Sequence, residues 1–104
     1  MKLYGLIGYP LGHSFSKRYF TEKFIKEKLN DHSYLNFPIE NIEKVLDILK
    51  NNPDLLGFNV TIPYKKQIIS FLNEISKDAS DIGAVNTVLV DRKIDKINLS
   101  GYMQ

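Results

Sequence analysis

The chain has 104 residues, of which 43% are hydrophobic and 25% charged, and a formal net charge of +2, which fits one globular domain with its own core. The chain has no cysteine and only two histidines, His13 and His32, which argues against a disulfide framework, a thiolate nucleophile or a zinc site. The mild charge and dispersed lysines argue against a nucleic-acid partner. The apolar run Leu3 to Gly8 is too short for a signal peptide or a membrane span, so we expect a cytoplasmic chain without a membrane partner.

The first half of the chain predicts alternating strands and helices. Leu3 to Gly8 is a strand, and Ser16 is a plausible N-cap for a helix that ends near Asn30. Ser33 to Pro38 is a second strand. A second helix follows, capped by Asn41, and its apolar face is formed by Ile42, Val45, Leu46 and Leu49.

The third strand runs from Leu55 into the polar bend at Asn59 and Thr61. Pro63 then predicts the start of a helix over Tyr64 to Leu72. Lys65 would lie in its first turn, where the helix dipole disfavours a cation, and this placement suits a lysine that gives or accepts a proton. An ordinary solvated lysine is the structural alternative.

A short helix at Lys77 to Ile82 and strands at Gly83 to Val90 and Ile97 to Tyr102 complete the pattern. The charged turn Asp91 to Lys96 between those strands is too short for a crossover, so they form an antiparallel hairpin. The predicted fold is α/β and three-layered, with a mainly parallel open sheet, right-handed βαβ crossovers and this C-terminal hairpin.

Ligands of open α/β sheets bind at the carboxyl ends of the strands. This rule brings together the hydroxyls, amides and ammonium of Ser14, Ser16, Asn59, Thr61, Lys65 and Asn86. They suit a small polyhydroxylated ligand that carries a carboxylate. The glycines Gly5, Gly8 and Gly12 are spaced wrongly for a dinucleotide-binding motif and form no phosphate loop. Each site residue has a structural alternative, in which the serines cap a helix, Asn59 is a satisfied strand-end amide and Asn86 is a turn residue.

Three segments resemble the signature blocks of the substrate-binding domain of shikimate dehydrogenases. They are Gly8 to Ser16, Asn59 to Lys65 and Ile82 to Thr87, in that order. The resemblance implies an NADP-dependent oxidoreductase of aromatic amino acid biosynthesis, which interconverts 3-dehydroshikimate and shikimate. It makes residues 1–104 the shikimate-binding domain.

The resemblance also implies a role for each matched residue. Ser14 and Ser16 would hold the substrate carboxylate, and Asn59 and Thr61 would line the pocket. Lys65 would transfer the proton at the hydroxyl that is oxidised. A ring hydroxyl would be bound by Asn86.

The chain departs from the family pattern in two places. Lys17 stands where the family usually has proline, which removes no ligand group. The chain reads Gly101-Tyr102-Met103-Gln104 where the family continues into Gly-x-Asn-Thr-Asp, so the aspartate that pairs with the lysine is missing, as is the NADP-binding domain. We therefore expect this chain alone to bind no cofactor and not to turn over.

Two other functions remain open. One is a relative that acts on quinate or an aminated analogue, and the other is a stand-alone binding or interaction module without catalysis. An unpaired edge strand of the predicted sheet would permit a homodimer.

Overall fold

The computed structural model describes residues 1–12 and 15–104, so the predictions for His13 and Ser14 lie outside the described residues. Six strands form one sheet in the order β2-β1-β3-β5-β6-β4. The strands are β1 (Lys2–Gly8), β2 (His32–Pro38), β3 (Leu55–Val60), β4 (Glu74–Ile75), β5 (Thr87–Lys93) and β6 (Lys96–Tyr102). The α-helices are α1 (Phe15–Lys26), α2 (Val45–Asn51) and α3 (Lys77–Ile82).

The sheet is parallel on one side and antiparallel on the other. β1 lies parallel to β2 and β3, whereas β5 runs antiparallel to both β3 and β6. The predicted α/β class, the mainly parallel sheet and the C-terminal hairpin are confirmed. The sequence did not predict β4, which contributes two residues parallel to β6. Because β5 runs against β3, it begins at the sheet edge where β1 and β3 end.

Helices cover both faces of the sheet. Leu3 and Ile7 of β1 belong to the main core, which also contains residues of α2 and α3. Tyr4 alternates with Leu3 and therefore faces the opposite side, where its ring lies 6.1 Å from that of Phe24 on α1. The packing of α1 on the sheet is largely aromatic, since Phe20 stacks on Tyr34 of β2 with ring centroids 4.9 Å apart.

The predicted helix over Tyr64 to Leu72 is wrong. The chain forms turns after Thr61 and then a 3₁₀ helix, Gln67–Phe71. The amide of Ile69 bonds to the carbonyl of Lys66, and the Lys65 carbonyl instead accepts from Val85 at 2.8 Å. A tertiary contact has thus taken the acceptor that a helix would have used. Lys65 has no place in the first turn of an α-helix, and the argument from the helix dipole does not apply to it.

Three smaller predictions also need correction. Ser16 is the second residue of α1 rather than its N-cap. α2 is preceded by a 3₁₀ turn, Ile42–Lys44, whose cap residue Asn41 makes no side-chain capping bond, and Leu46 is 55% exposed. β5 begins at Thr87, because Gly83 ends α3 in the left-handed conformation with φ of 76°.

The end of α1 contains a left-handed residue that is not glycine. Lys28 has φ of 59°, and the amides of Lys28 and Leu29 bond to the carbonyls of Ile25 and Phe24 at 3.1 and 2.8 Å. These two bonds form a Schellman motif, whose left-handed position usually holds glycine.

We predict that Lys28→Gly raises the free energy of unfolding by about 0.5–1 kcal/mol, because glycine has no Cβ to strain in this conformation. Urea unfolding followed by circular dichroism measures the change. Lys26→Gly is the matched control, since Lys26 is helical and its replacement should destabilise by about 1 kcal/mol. Equal losses for both variants would contradict the assignment of the motif.

Candidate functional site

The site lies at the end of the sheet where β1 and β3 end and β5 begins, which we call the strand-end edge. Asn59 of β3 stands directly opposite Thr87 of β5, and Thr87 stands opposite Tyr102 at the end of β6. Asn86 immediately precedes β5, and its backbone carbonyl accepts from Val60 at 2.9 Å. The sheet register therefore brings Asn59 and Asn86, predicted from separate motifs, into one place.

A buried tyrosine holds the Asn59 side chain. The Tyr34 hydroxyl donates to Asn59 Oδ1 at 2.9 Å, and Tyr34 is only 3% exposed. The Asn59 amide nitrogen donates at 3.4 Å to the Asn86 carbonyl and at 3.4 Å to Thr87 Oγ1. Because the carbonyl can only accept and the phenol donates, the orientation of the Asn59 amide is determined.

The network continues from Asn59 to Asn86. Thr87 Oγ1 donates to Asn86 Oδ1 at 3.1 Å. The Asn86 side chain also pairs in both directions with the Gln104 backbone: Nδ2 donates to the Gln104 carbonyl at 2.7 Å, and Oδ1 accepts from the Gln104 amide at 2.9 Å. The hydrogen bonds therefore run continuously from Tyr34 to the end of the described chain.

Ser16 reaches this network from α1. Its side chain hydrogen-bonds the Tyr34 hydroxyl. Burial raises the pKa of Tyr34 to about 12, and the bond with Ser16 opposes part of the rise. Tyr34 thus connects a predicted carboxylate-binding hydroxyl to a predicted pocket amide.

Backbone hydrogen bonds place Thr61 and Lys65 at the strand-end edge. The Thr61 amide bonds to the Ile7 carbonyl at 2.9 Å, which extends the pairing with β1 beyond the strand. The bond from Val85 to the Lys65 carbonyl sets the lysine's turn beside the residue that precedes Asn86. Within residues 1–12 and 15–104, the Lys65 ammonium and the Thr61 hydroxyl have no hydrogen-bond or ion-pair partner.

A cavity of about 200 Å³ lies beside the network, between α1 and the sheet. Its lining is mostly apolar, with Phe20, Phe24 and Leu89 among its walls. Of the predicted site residues that the structure describes, only Asn59 borders it. The cavity therefore borders the network at Tyr34, Asn59 and Thr87, but most of its lining is apolar.

The sequence did not single out Tyr34 or Thr87 as functional. Tyr34 reads as a core residue of an alternating strand, and Thr87 as a strand residue with high β propensity. The available signal for Thr87 was its position beside Asn86 at a strand end. For Tyr34 no local signal exists, because its partner Asn59 is 25 residues away.

Gly8 does not fit the glycine position of a dinucleotide site. In such sites a glycine lets the backbone approach the pyrophosphate. Here the space that a Cβ would fill at Gly8 is taken by the chain itself, namely by the Thr61 methyl at 2.5 Å and the Ile62 carbonyl at 3.1 Å. In the described part of the chain, no group of three or more histidine, cysteine, aspartate or glutamate side chains could hold a metal ion. Among these residues, no helix has the length and apolar character that crossing a membrane requires.

Comparisons with known proteins agree on one family. A family model described as the shikimate dehydrogenase substrate binding domain matches residues 6–88. Shikimate dehydrogenase (NADP(+)) of Dictyoglomus thermophilum is 44% identical over 108 residues, which cover 99% of this chain and 38% of that protein. The enzyme of the same name from Methanocaldococcus jannaschii is 45% identical over 92 residues, which cover 86% of this chain and 32% of that protein.

A solved structure extends the likeness to the fold. The crystal structure of shikimate 5-dehydrogenase from Listeria monocytogenes, in complex with shikimate and NAD, superposes with a TM-score of 0.82 at 35% identity. The match covers 98% of this chain and 34% of that one. The fold is that of an α/β substrate-binding domain.

The chain belongs to the shikimate dehydrogenase substrate-binding domain family, as its three sequence blocks predicted. It spans 38% of the length of the Dictyoglomus relative.

We predict that Gly8→Ala destabilises the protein by about 1–3 kcal/mol, because its methyl would overlap Thr61 and the adjacent backbone. Urea unfolding and the Thr61 methyl resonance report the loss and the displacement. Gly12→Ala is the matched control, since, apart from its chain neighbours, no atom of the described residues lies within 4 Å of its Cβ position. A Gly8→Ala variant as stable as the control would disprove the close contact.

A second prediction concerns the ionisation of Tyr34. Its pKa is about 12 in the fold, against about 10 for an unfolded tyrosine. The stability that Tyr34 contributes is therefore fully present below pH 10 and is lost as the pH rises through about 12.

We expect the stability difference between wild type and Tyr34→Phe to be constant up to pH 10 and to shrink above it. The ¹³Cζ resonance of Tyr34 gives the titration directly. An ordinary midpoint near pH 10 would show that the hydroxyl is not buried as described.

Proposed function

We propose that this domain binds shikimate and 3-dehydroshikimate at its strand-end edge and forms the substrate half of an NADP-dependent shikimate dehydrogenase. The observation that carries the proposal is the network in which Tyr34 and Thr87 orient the amides of Asn59 and Asn86 beside the Lys65 turn. A ring with several hydroxyls suits such a set of oriented polar groups. The family likeness supports the same substrate.

The proposed roles follow the chemistry of each group. Ser14 and Ser16 bind the carboxylate, and Ser16 is supplied by α1. Asn86 bonds to a ring hydroxyl, while Asn59 and Thr61 form the pocket wall. The Lys65 ammonium, which has no partner among the described residues, can donate a proton to the ketone oxygen during reduction, and its amine can accept the hydroxyl proton during oxidation. The proposal covers substrate binding and this proton transfer.

Titration of the ¹⁵N-labelled chain with shikimate tests the proposal. We expect shifts confined to the strand-end edge, at Ser16, Thr61, Lys65 and Asn86, with a Kd in the millimolar range. Lys65→Ala should weaken binding about tenfold or more, because a charge-assisted hydrogen bond is lost. Lys66→Ala is the control, since Lys66 is exposed in the same turn.

The outcomes separate the candidate functions. Shifts with shikimate that quinate does not reproduce favour the shikimate enzyme, whereas a tighter response to quinate favours the quinate relative. Shikimate methyl ester should bind more weakly than shikimate if the serines hold the carboxylate. The proposal is wrong if no resonance at this edge moves when the shikimate concentration is raised to about 20 mM, well above the expected Kd of about 1 mM.

A further inference from the structure

The hydroxyl of Thr87 joins two side chains of the proposed site. It lies 3.4 Å from Asn59 Nδ2 and 3.1 Å from Asn86 Oδ1. Thr87 is the first residue of β5, so its backbone is fixed by pairing with Asn59 on one side and Tyr102 on the other. A hydroxyl held in this way can impose a direction on the groups that it joins.

The neighbours determine which way this hydroxyl points. Asn86 must present Oδ1 towards Thr87, because this oxygen accepts from the Gln104 amide and Nδ2 donates to the Gln104 carbonyl. Asn59 must present Nδ2, because its Oδ1 accepts from Tyr34. The Thr87 hydroxyl therefore accepts from Asn59 and donates to Asn86.

A count of hydrogen-bonding capacity then defines what Asn86 can offer a ligand. A side-chain amide has two acceptor sites on oxygen and two N–H donors. At Asn86 both acceptor sites are filled, by Gln104 and Thr87, and one donor is used on the Gln104 carbonyl. A single N–H is left.

We infer that Thr87 is a positioning residue: it leaves Asn86 able only to donate a hydrogen bond to a ligand in the proposed substrate site. Without the Thr87 hydroxyl, Oδ1 regains an acceptor site and the amide loses one of its restraints. With the hydroxyl, Asn86 recognises an oxygen that accepts, such as the oxygen of a ring hydroxyl or a ketone. This inference rests on the proposed function for the identity of the ligand, but the orientation of Asn86 can be tested without ligand.

The ligand-free experiment compares Thr87→Val with Thr87→Ser. Valine keeps the β-branched shape and removes the hydroxyl, whereas serine keeps the hydroxyl. We expect Thr87→Val to shift the side-chain ¹⁵NH₂ resonances of Asn86 and Asn59 and to speed amide exchange at Gln104, and Thr87→Ser to leave them near their wild-type values. Ser100→Ala is the control. It removes a hydroxyl of the neighbouring strand β6 that bonds to Glu74, and it should move none of these signals.

The wild-type chain gives an independent measurement that does not depend on a variant that folds. One Nδ2 proton of Asn86 should be protected from exchange by the Gln104 carbonyl, and the other should exchange rapidly in the free protein. Shikimate should then protect the second proton.

The binding arm uses shikimate with the same variants. Thr87→Val should weaken binding about three- to tenfold and Thr87→Ser should restore most of it. Unchanged Asn86 resonances in Thr87→Val, or two equally exchanging protons in wild type, would overturn the inference while leaving shikimate binding intact. If the wild-type resonances do not respond to shikimate but Thr87→Val shifts the Asn86 resonances, the proposed function is wrong and the positioning role of Thr87 stands.

Discussion

The site depends on the antiparallel pairing of β5 with β3. A fourth parallel strand beside β3 would begin at the opposite edge of the sheet and would carry Asn86 away from Asn59. Because β5 runs the other way, its first residue meets the end of β3, and Asn59 faces Thr87. A slip of this pairing by one residue would turn Thr87 to the other face of the sheet. One strand reversal therefore decides whether motifs far apart in the chain form a common site.

The side chains at this edge are held by a network of hydroxyls and amides. Its ordered direction, from Tyr34 through Asn59 and Thr87 to Asn86, leaves each amide in one orientation. Such a network orders its groups when the protein folds, so a ligand does not bear that entropy cost when it binds. The Tyr34 hydroxyl is buried under α1, and a buried donor without a partner costs free energy. The fold therefore favours the bond from Tyr34 to Asn59.

The sequence could predict the elements, the family and the edge at which polar residues gather, because periodicity, glycines and motif order are local features. It failed where tertiary hydrogen bonds compete with local propensity. The segment from Tyr64 has helical spacing, but the Lys65 carbonyl is bound by Val85 and the Tyr64 hydroxyl by the Ile39 carbonyl, which favours turns and a short 3₁₀ helix. Tyr34 and Thr87 could not be found without the register, since their importance comes from what stands opposite them.

In the proposed function, fixed and unfixed groups would have different roles in recognition. The amides of Asn59 and Asn86 are oriented before any ligand arrives, whereas the Lys65 side chain has no described partner to order it. Ordering a lysine costs about 1.5–2 kcal/mol of side-chain entropy, which a ligand contact must offset. In the proposed function, the fixed amides would supply discrimination among ring hydroxyls, and the lysine would supply charge and a proton once the ring is in place. A lysine ammonium without the amides would not distinguish hydroxyl patterns, since it acts as a point charge.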